Sequence, residues 1–332
     1  MIINNAILHI LDYKSDICVF SQQLLDCSNT ATVEYIEKHL EKLHKDSGCK
    51  SGEFLQESQF ANYLTQYKSN AISFIDFSNW IGNILHQKIS LADKQESTDL
   101  LIVDYIYEDT PYFAVLILIN KSAYTHQVYS DENGIYNEIA LHYAILPGTT
   151  QKADSFAIIN FNTKEISFID KSKIIDGKRC YVIQQNLLEC TSNVSTKEAV
   201  KIVKEIATQV AEEYGANPTI TVSKAKSYIV ENSETADSFS TTQLAEAVFS
   251  DAPFMKEAFE KKAEEKKIPK DIKIEHQTAV KTSSSHKITT DTGIEITIPV
   301  EYFENEKYIE FINNPNGTIS IQLKNIGKIT NK

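Results

Sequence analysis

The densest apolar pattern in the chain lies between Asp99 and Asn120, which read DLLIVDYIYEDTPYFAVLILIN. Two runs, Leu100–Tyr107 and Tyr112–Ile119, are rich in Ile, Val, Leu and Tyr and predict an antiparallel hairpin. The intervening Glu108-Asp109-Thr110-Pro111 reads as its turn, with Pro111 supplying a fixed φ. The second run is apolar at nearly every position. A half-solvated strand would alternate, so this one belongs at the centre of a sheet covered on both faces.

Shorter periodic segments surround it. Ile2–Leu11 and Ile17–Leu25 predict two opening strands joined by the polar turn Asp12-Tyr13-Lys14-Ser15-Asp16. Val33, Ile36, Leu40 and Leu43 then repeat at helical spacing after a cap at Asn29 or Thr30, and the pattern stops at Gly48. Phe60, Tyr63, Leu64 and Tyr67 predict a second helix. Phe77, Ile81, Ile84 and Leu85 predict a third, started by Ser73 with Asp76 three residues on. After the hairpin come Tyr124–Tyr129, Ile135–Ile145, Ser155–Phe161 and Glu165–Asp170, with Asn162-Thr163-Lys164 as a tight turn and Tyr181–Gln185 as an edge strand. Residues 1–190 therefore read as an α+β domain, an antiparallel or mixed sheet with helices to one side.

The period changes near Ser195. Ser195 and Glu198 form a capping box, Val200, Val203, Ala207, Val210 and Tyr214 make one apolar stripe, and Gly215 ends the helix. Further helices follow Pro218, start at Ser240 with Gln243, and run from Asp251-Ala252-Pro253 to Pro269, so residues 195–268 are a helical region. Period 2 then returns in GIEITIP (293–299), and Tyr308–Ile312 and Thr318–Leu323 flank the turn Asn313-Asn314-Pro315-Asn316-Gly317. A small sheet over 270–325 closes the second region, 195–332.

At 332 residues the chain buries a core without metal or disulfide staples. Cys18, Cys27, Cys49, Cys180 and Cys190 form no CxxC pair, which argues against a zinc ribbon or disulfide framework and for a reducing cytoplasm. The N-terminus lacks a basic leader, and no apolar run approaches the roughly 20 residues of a membrane span. The expectation is a cytoplasmic protein with no membrane partner and no cofactor. The net charge of −12 is uneven: residues 1–200 carry 16 basic and 25 acidic groups, residues 201–332 carry 17 and 20. A polyanion is therefore better received by the C-terminal part. Arg179 is the sole arginine, which removes the side chain best suited to reading guanine and argues against base-specific DNA recognition.

The order of parts resembles the bacterial 37-kDa nucleoid-associated protein family over nearly the full length. The resemblance rests on Leu101–Val103 with Phe113–Leu118, on the helical region after residue 195, and on the closing GIEITIP (293–299) and NPNGTISIQLKN (314–325). It implies a cytoplasmic, nucleoid-located, non-enzymatic protein that binds DNA or a DNA-bound enzyme such as a type II topoisomerase, with no catalytic residues to carry over.

The most basic window is 256–287, where Lys256, Lys261, Lys262, Lys266, Lys267, Lys270, Lys273, Lys281 and Lys287 face Glu257, Glu260, Glu264, Glu265, Asp271 and Glu275. Lysines along a helix and an extended segment after it are suited to tracking phosphates, since nonspecific binding needs neutralised charge and no base contacts. The competing reading is a solvated face laced with pairs such as Glu257 and Lys261 at i,i+4. Helices over 241–249 and 253–267 have helix-turn-helix spacing, against ordinary bundle packing. A metal-dependent nuclease is the enzymatic alternative, with Asp154 followed by Asp176-Gly177-Lys178. Gly177 argues instead for a surface turn. His39 and His44 are five apart, one more than aligns two metal ligands on a helix, and read as structural. Cys18 and Cys180 fall in apolar runs and read as buried thiols. Gly48-Cys49-Lys50-Ser51-Gly52 reads as a flexible connection. A scaffold that binds only protein stays open, as does a homodimer.

Overall fold

A computed structural model describes residues 1–13, 17–274, 276–303, 305, 307–315 and 317–328. They form two compact units, Met1–Asn193 and Val194–Lys332. The expected turn at Lys14-Ser15-Asp16, the window residue Glu275 and the turn residue Asn316 lie outside the described residues.

The first unit carries strands β1 (Ile2–Asp12), β2 (Ile17–Val19), β3 (Lys50–Gly52), β4 (Thr98–Tyr107), β5 (Thr110–Ile119), β6 (Lys121–Asp131), β7 (Gly134–Ile145), β8 (Ser155–Asn160) and β9 (Ile166–Ile169). Seven of these pair in the order β2-β1-β4-β5-β8-β9-β3. Every pairing in that sheet is antiparallel. The helices are α1 (Thr30–His44), α2 (Gln59–Lys68) and α3 (Phe74–Ile89).

Both faces of the central strands are covered, and the helices divide between them. Leu100, Ile102, Phe113, Val115 and Ile117 pack with Phe60 of α2, with Phe77 and Ile81 of α3, and with Ile183 and Leu187. The alternate residues, Leu101, Val103, Tyr105, Ala114, Leu116 and Leu118, pack with Ile36, Leu40 and Leu43 of α1. The expected placement of all helices on one side is thus corrected, for a reason already present in β5: with both parities apolar, each face needs its own cover.

Other differences are local. The β4–β5 loop is Glu108-Asp109 alone, both with positive φ (48° and 60°), the twist that a two-residue hairpin requires. Pro111 is the second residue of β5, where it pairs with Ile106 and its carbonyl accepts the Phe161 N–H at 3.0 Å. The predicted strand at Ile17–Leu25 ends at Val19, because Ser21 turns back onto β1 and its N–H donates to His9 Nδ1 at 3.0 Å. Cys18 lies on this edge and is exposed, not buried. Tyr181–Gln185 is no edge strand: Val182–Leu188 is a π-helix whose start is held by the Gln184 N–H donating to Asp170 Oδ2 at 2.8 Å. Lys50–Gly52, read as a flexible connection, adds to β9 as a short edge strand.

In the first unit β10 (Lys173–Ile175) and β11 (Lys178–Cys180) make a small hairpin. In the second unit α4 (Thr196–Glu213), α5 (Pro218–Asn232), α6 (Thr241–Val248), α7 (Pro253–Glu265) and α8 (His276–Ser283) share one core. The Glu198 N–H donates to Ser195 Oγ at 3.2 Å, the expected cap, whereas Ser240 makes no side-chain cap. The stretch after α7, read as extended, contains α8. Its only buried positions are Ala279 and Ser283, one turn apart and too small to mark a helical period in the sequence. Two-stranded ladders complete the unit: β12 (Ser238–Ser240) with β13 (Asp271–Lys273), β14 (Ser285–Thr289) with β15 (Glu295–Pro299), and β16 (Ile309–Asn313) with β17 (Ile319–Leu323).

Trp80, the single tryptophan, stacks on Tyr63 at 4.3 Å and reports on the first unit alone. Leu116 is fully buried in β5. Leu116→Ala is expected to lower the unfolding free energy of that unit by about 3 kcal/mol. Urea titrations followed by Trp80 fluorescence measure it, and a loss below about 1 kcal/mol would contradict a close-packed central strand.

Candidate nucleic-acid interface

The nine lysines of the basic window are distributed over α7, the loop after it, β13, α8 and β14. α7 forms because Pro253 opens it and Met255, Phe259 and Ala263 recur at helical spacing, which fixes the face it buries against the bundle. The lysines beside that stripe are drawn into ion pairs. Lys262 Nζ lies 3.1 Å from Glu213 and Lys266 Nζ 3.8 Å from Glu205, both carboxylates on α4. Lys256 donates to Glu246 of α6. Lys287 pairs with Glu295 at 2.8 Å across the β14–β15 ladder.

Lys261, Lys267, Lys270, Lys273 and Lys281 are exposed and, among the described residues, have no ion-pair partner. They stand among the exposed acids Glu257, Glu264, Glu265 and Asp271. The window is thus two populations: lysines paired with carboxylates of neighbouring elements, and lysines whose charge is available to an external anion. Only the second releases counterions on meeting phosphate, so the local excess of positive charge overstates the polyanion affinity.

Two further lysines were not singled out in the sequence. Lys204 of α4 donates to the Thr282 carbonyl at 2.6 Å, and Lys226 of α5 donates to the Ser285 carbonyl at 2.8 Å. Lys204 meets the C-terminal end of α8, where carbonyls lack intrahelical partners and cations are favoured, and Lys226 meets the first residue of β14. Burial, with Lys226 nearby, pushes Lys204 down to about 8, and burial lowers Lys226 as well. Beside them His286, buried against Phe303 at 4.6 Å, is pushed down to about 4 by burial and by the two ammonium groups. These groups are committed internally. The sign in the sequence is Lys204 standing within the stripe Val200, Val203, Ala207, where a fully solvated lysine does not belong.

The helix-turn-helix reading finds α6 and α7 in sequence, but α7 exposes Phe254 and Glu257 in its first turns, which offer no donors to base edges or phosphates. The nuclease residues are not brought together into a metal site. Asp154 pairs with Lys171 at 3.4 Å, whereas Asp176-Gly177 is the two-residue loop of β10–β11, with φ of 51° and 70°. Among the described residues no three His, Cys, Asp or Glu side chains converge to hold a metal ion. His39 is fully buried against Tyr35, and His44 Nε2 lies 2.8 Å from Tyr105 Oη while its ring stacks on Tyr107 at 4.3 Å. Both are structural. Among the described residues no helix is long and apolar enough to cross a membrane.

The chain thus combines an antiparallel α+β unit with a helical unit in which five lysines of the basic window have no ion-pair partner among the described residues. The chain belongs to the family of nucleoid-associated protein YejK, which matches it over residues 7–330. No curated protein matches it in sequence.

Burial holds His9 and His44 of the first unit, like His286 of the second, at about 4. A lowered pKa in the folded state means that their neutral forms stabilise the fold fully above the unfolded value of about 6.5, and that this contribution is lost as pH falls from there toward 4. In the first unit Asp99 and Asp170, raised to about 6 by burial, act in the opposite sense, contributing most below their unfolded pKa and losing that contribution as pH rises through 6. His286→Phe keeps the contact with Phe303 and is expected to flatten the acid-side loss of stability of the second unit. In proton NMR, His9, His44 and His286 should remain neutral at pH 6. An imidazole of these three that charges near 6.5 would contradict the assigned burial.

Proposed function

We propose that the protein acts at the nucleoid in the cytoplasm as a non-enzymatic DNA-binding protein that holds duplex weakly and without sequence preference. Lys261, Lys267, Lys270, Lys273 and Lys281 make the phosphate contacts, and the ion-paired Lys256, Lys262, Lys266 and Lys287 add little. The observation that carries this is the separation of the basic window into free and paired lysines in a chain of a nucleoid-associated family. Lysine meets phosphate as a point charge, and with Arg179 the only arginine there is little means to read bases. The turn geometry at Asp176 supports the absence of hydrolytic activity.

A second route to the nucleoid is favoured by the overall charge. At a net −12 the chain is repelled by DNA at distance, which suits attachment through a DNA-bound enzyme such as a type II topoisomerase.

Fluorescence anisotropy on duplex DNA against salt tests both routes. Replacing the five free lysines with Ala should flatten the plot of log K against log salt by up to roughly 4.5 units, at about 0.9 per lost contact. The quadruple variant of the paired lysines should change it by less. A slope unaltered by the five-lysine variant moves the function to the protein-mediated route. Magnesium should produce no cleavage in the same samples, and magnesium-dependent cleavage abolished by Asp176→Ala would overturn the non-enzymatic assignment.

A further inference from the structure

The hairpin β6–β7 carries apolar side chains that its own unit does not cover. Its strands pair with each other and with no strand of the seven-stranded sheet. No residue of either strand is buried. At 11 and 12 residues they make a ribbon roughly 35 Å long. The ribbon is two-sided. Tyr124↔Leu141, His126↔Ile139, Val128↔Asn137 and Ser130↔Ile135 share one face. On it Tyr124, Val128, Ile135 and Ile139 are 76, 63, 78 and 82% exposed. The other face carries Thr125, Gln127 and Glu138 with the small Ala123 and Ala140 and the stacked Tyr129–Tyr136 pair.

A two-stranded hairpin is at best marginally stable in water without cover for an apolar face. We infer that a second copy of this chain supplies the cover: the two arms pack their Tyr124/Val128/Ile135/Ile139 faces together, antiparallel about a two-fold axis, as a small two-layer sandwich. Three features select this occupant. The area is right, since the four side chains expose on the order of 600 Å², and with His126, Ser130 and Asn137 between them the face approaches the roughly 800 Å² that each partner contributes to a standard interface. The charge is self-complementary only head to tail: Lys121 is at the root of the arm and Asp131 and Glu132 are at its tip, so an antiparallel pair sets each acidic tip toward the partner's basic root. Finally, Asp131, Glu132 and Glu138 outnumber Lys121 as formal charges on the arm, which disfavours nucleic acid or an anionic lipid surface as the cover. The inference is independent of how DNA is held.

Sedimentation equilibrium of the full chain tests it. The wild type should behave as a dimer, twice 37.5 kDa, at micromolar concentration. Val128→Asp with Ile139→Asp should be monomeric, with Trp80 fluorescence and helical circular dichroism unchanged because both positions are on the surface of the single chain. Should that variant misfold, hydrogen exchange on the wild type decides: amides of 121–145 are expected to exchange at least tenfold more slowly at high than at low protein concentration, while those of β4 and β5 do not respond. A wild type that stays monomeric at every concentration, or a dimer that survives the double substitution, overturns the proposal. So does arm exchange that is independent of concentration.

Discussion

The first unit depends on burying one hairpin from both sides. β4 and β5 present apolar side chains of both parities, so neither face can meet water without exposing a row of Leu, Ile and Val. That condition accounts for the division of the helices, with α1 closing one face and α2 and α3, joined by the π-helix, closing the other. It also accounts for the polar exceptions. His9, fully buried on β1 beside this hairpin, stays neutral and accepts a backbone N–H. Asp12 and Asp99 sit where the strands leave the core, with Ser97 donating to Asp12.

Charge is organised differently in the second unit. A lysine there is defined by what it meets, not by how many others are near it in sequence. Lys262 and Lys266 flank the buried stripe of α7 and meet carboxylates of α4, and such exposed pairs contribute little stability while removing charge from the outward field. Lys204 donates to a carbonyl at the end of α8 and Lys226 to one at the start of β14. What remains for a polyanion is a sparse set of lysines among acids, which suits contact that forms and breaks readily at cellular salt.

The β6–β7 arm follows neither logic. Its amphipathic pairing is that of a sheet with one buried face, yet the described residues of the first unit do not bury it. Covering by a second copy would satisfy that pattern in the same way that α1 and α3 satisfy β5, with the cover coming from another molecule.

Much of this was legible from the order of residues alone. The β4–β5 hairpin, the capping boxes at Ser73 and Ser195, the Gly215 stop and the α+β class each follow from local period and turn chemistry, which a chain expresses before it folds. Tertiary structure alone decided the rest. Tyr124–Tyr129 and Ile135–Ile145 read in the sequence as further strands like those that pair in the seven-stranded sheet, and only three-dimensional pairing set them apart as a separate hairpin, because strand neighbours are not encoded by period. The π-helix at Val182–Leu188 replaced a plausible strand because Asp170, distant in sequence, holds its first turn. α8 was hidden because its buried positions are Ala and Ser. The candidate site shows the limit most plainly: nine lysines could be counted in the sequence, but ion pairing joins side chains from different elements, and which five have no ion-pair partner among the described residues depends on Glu205, Glu213, Glu246 and Glu295, all of which lie outside the window.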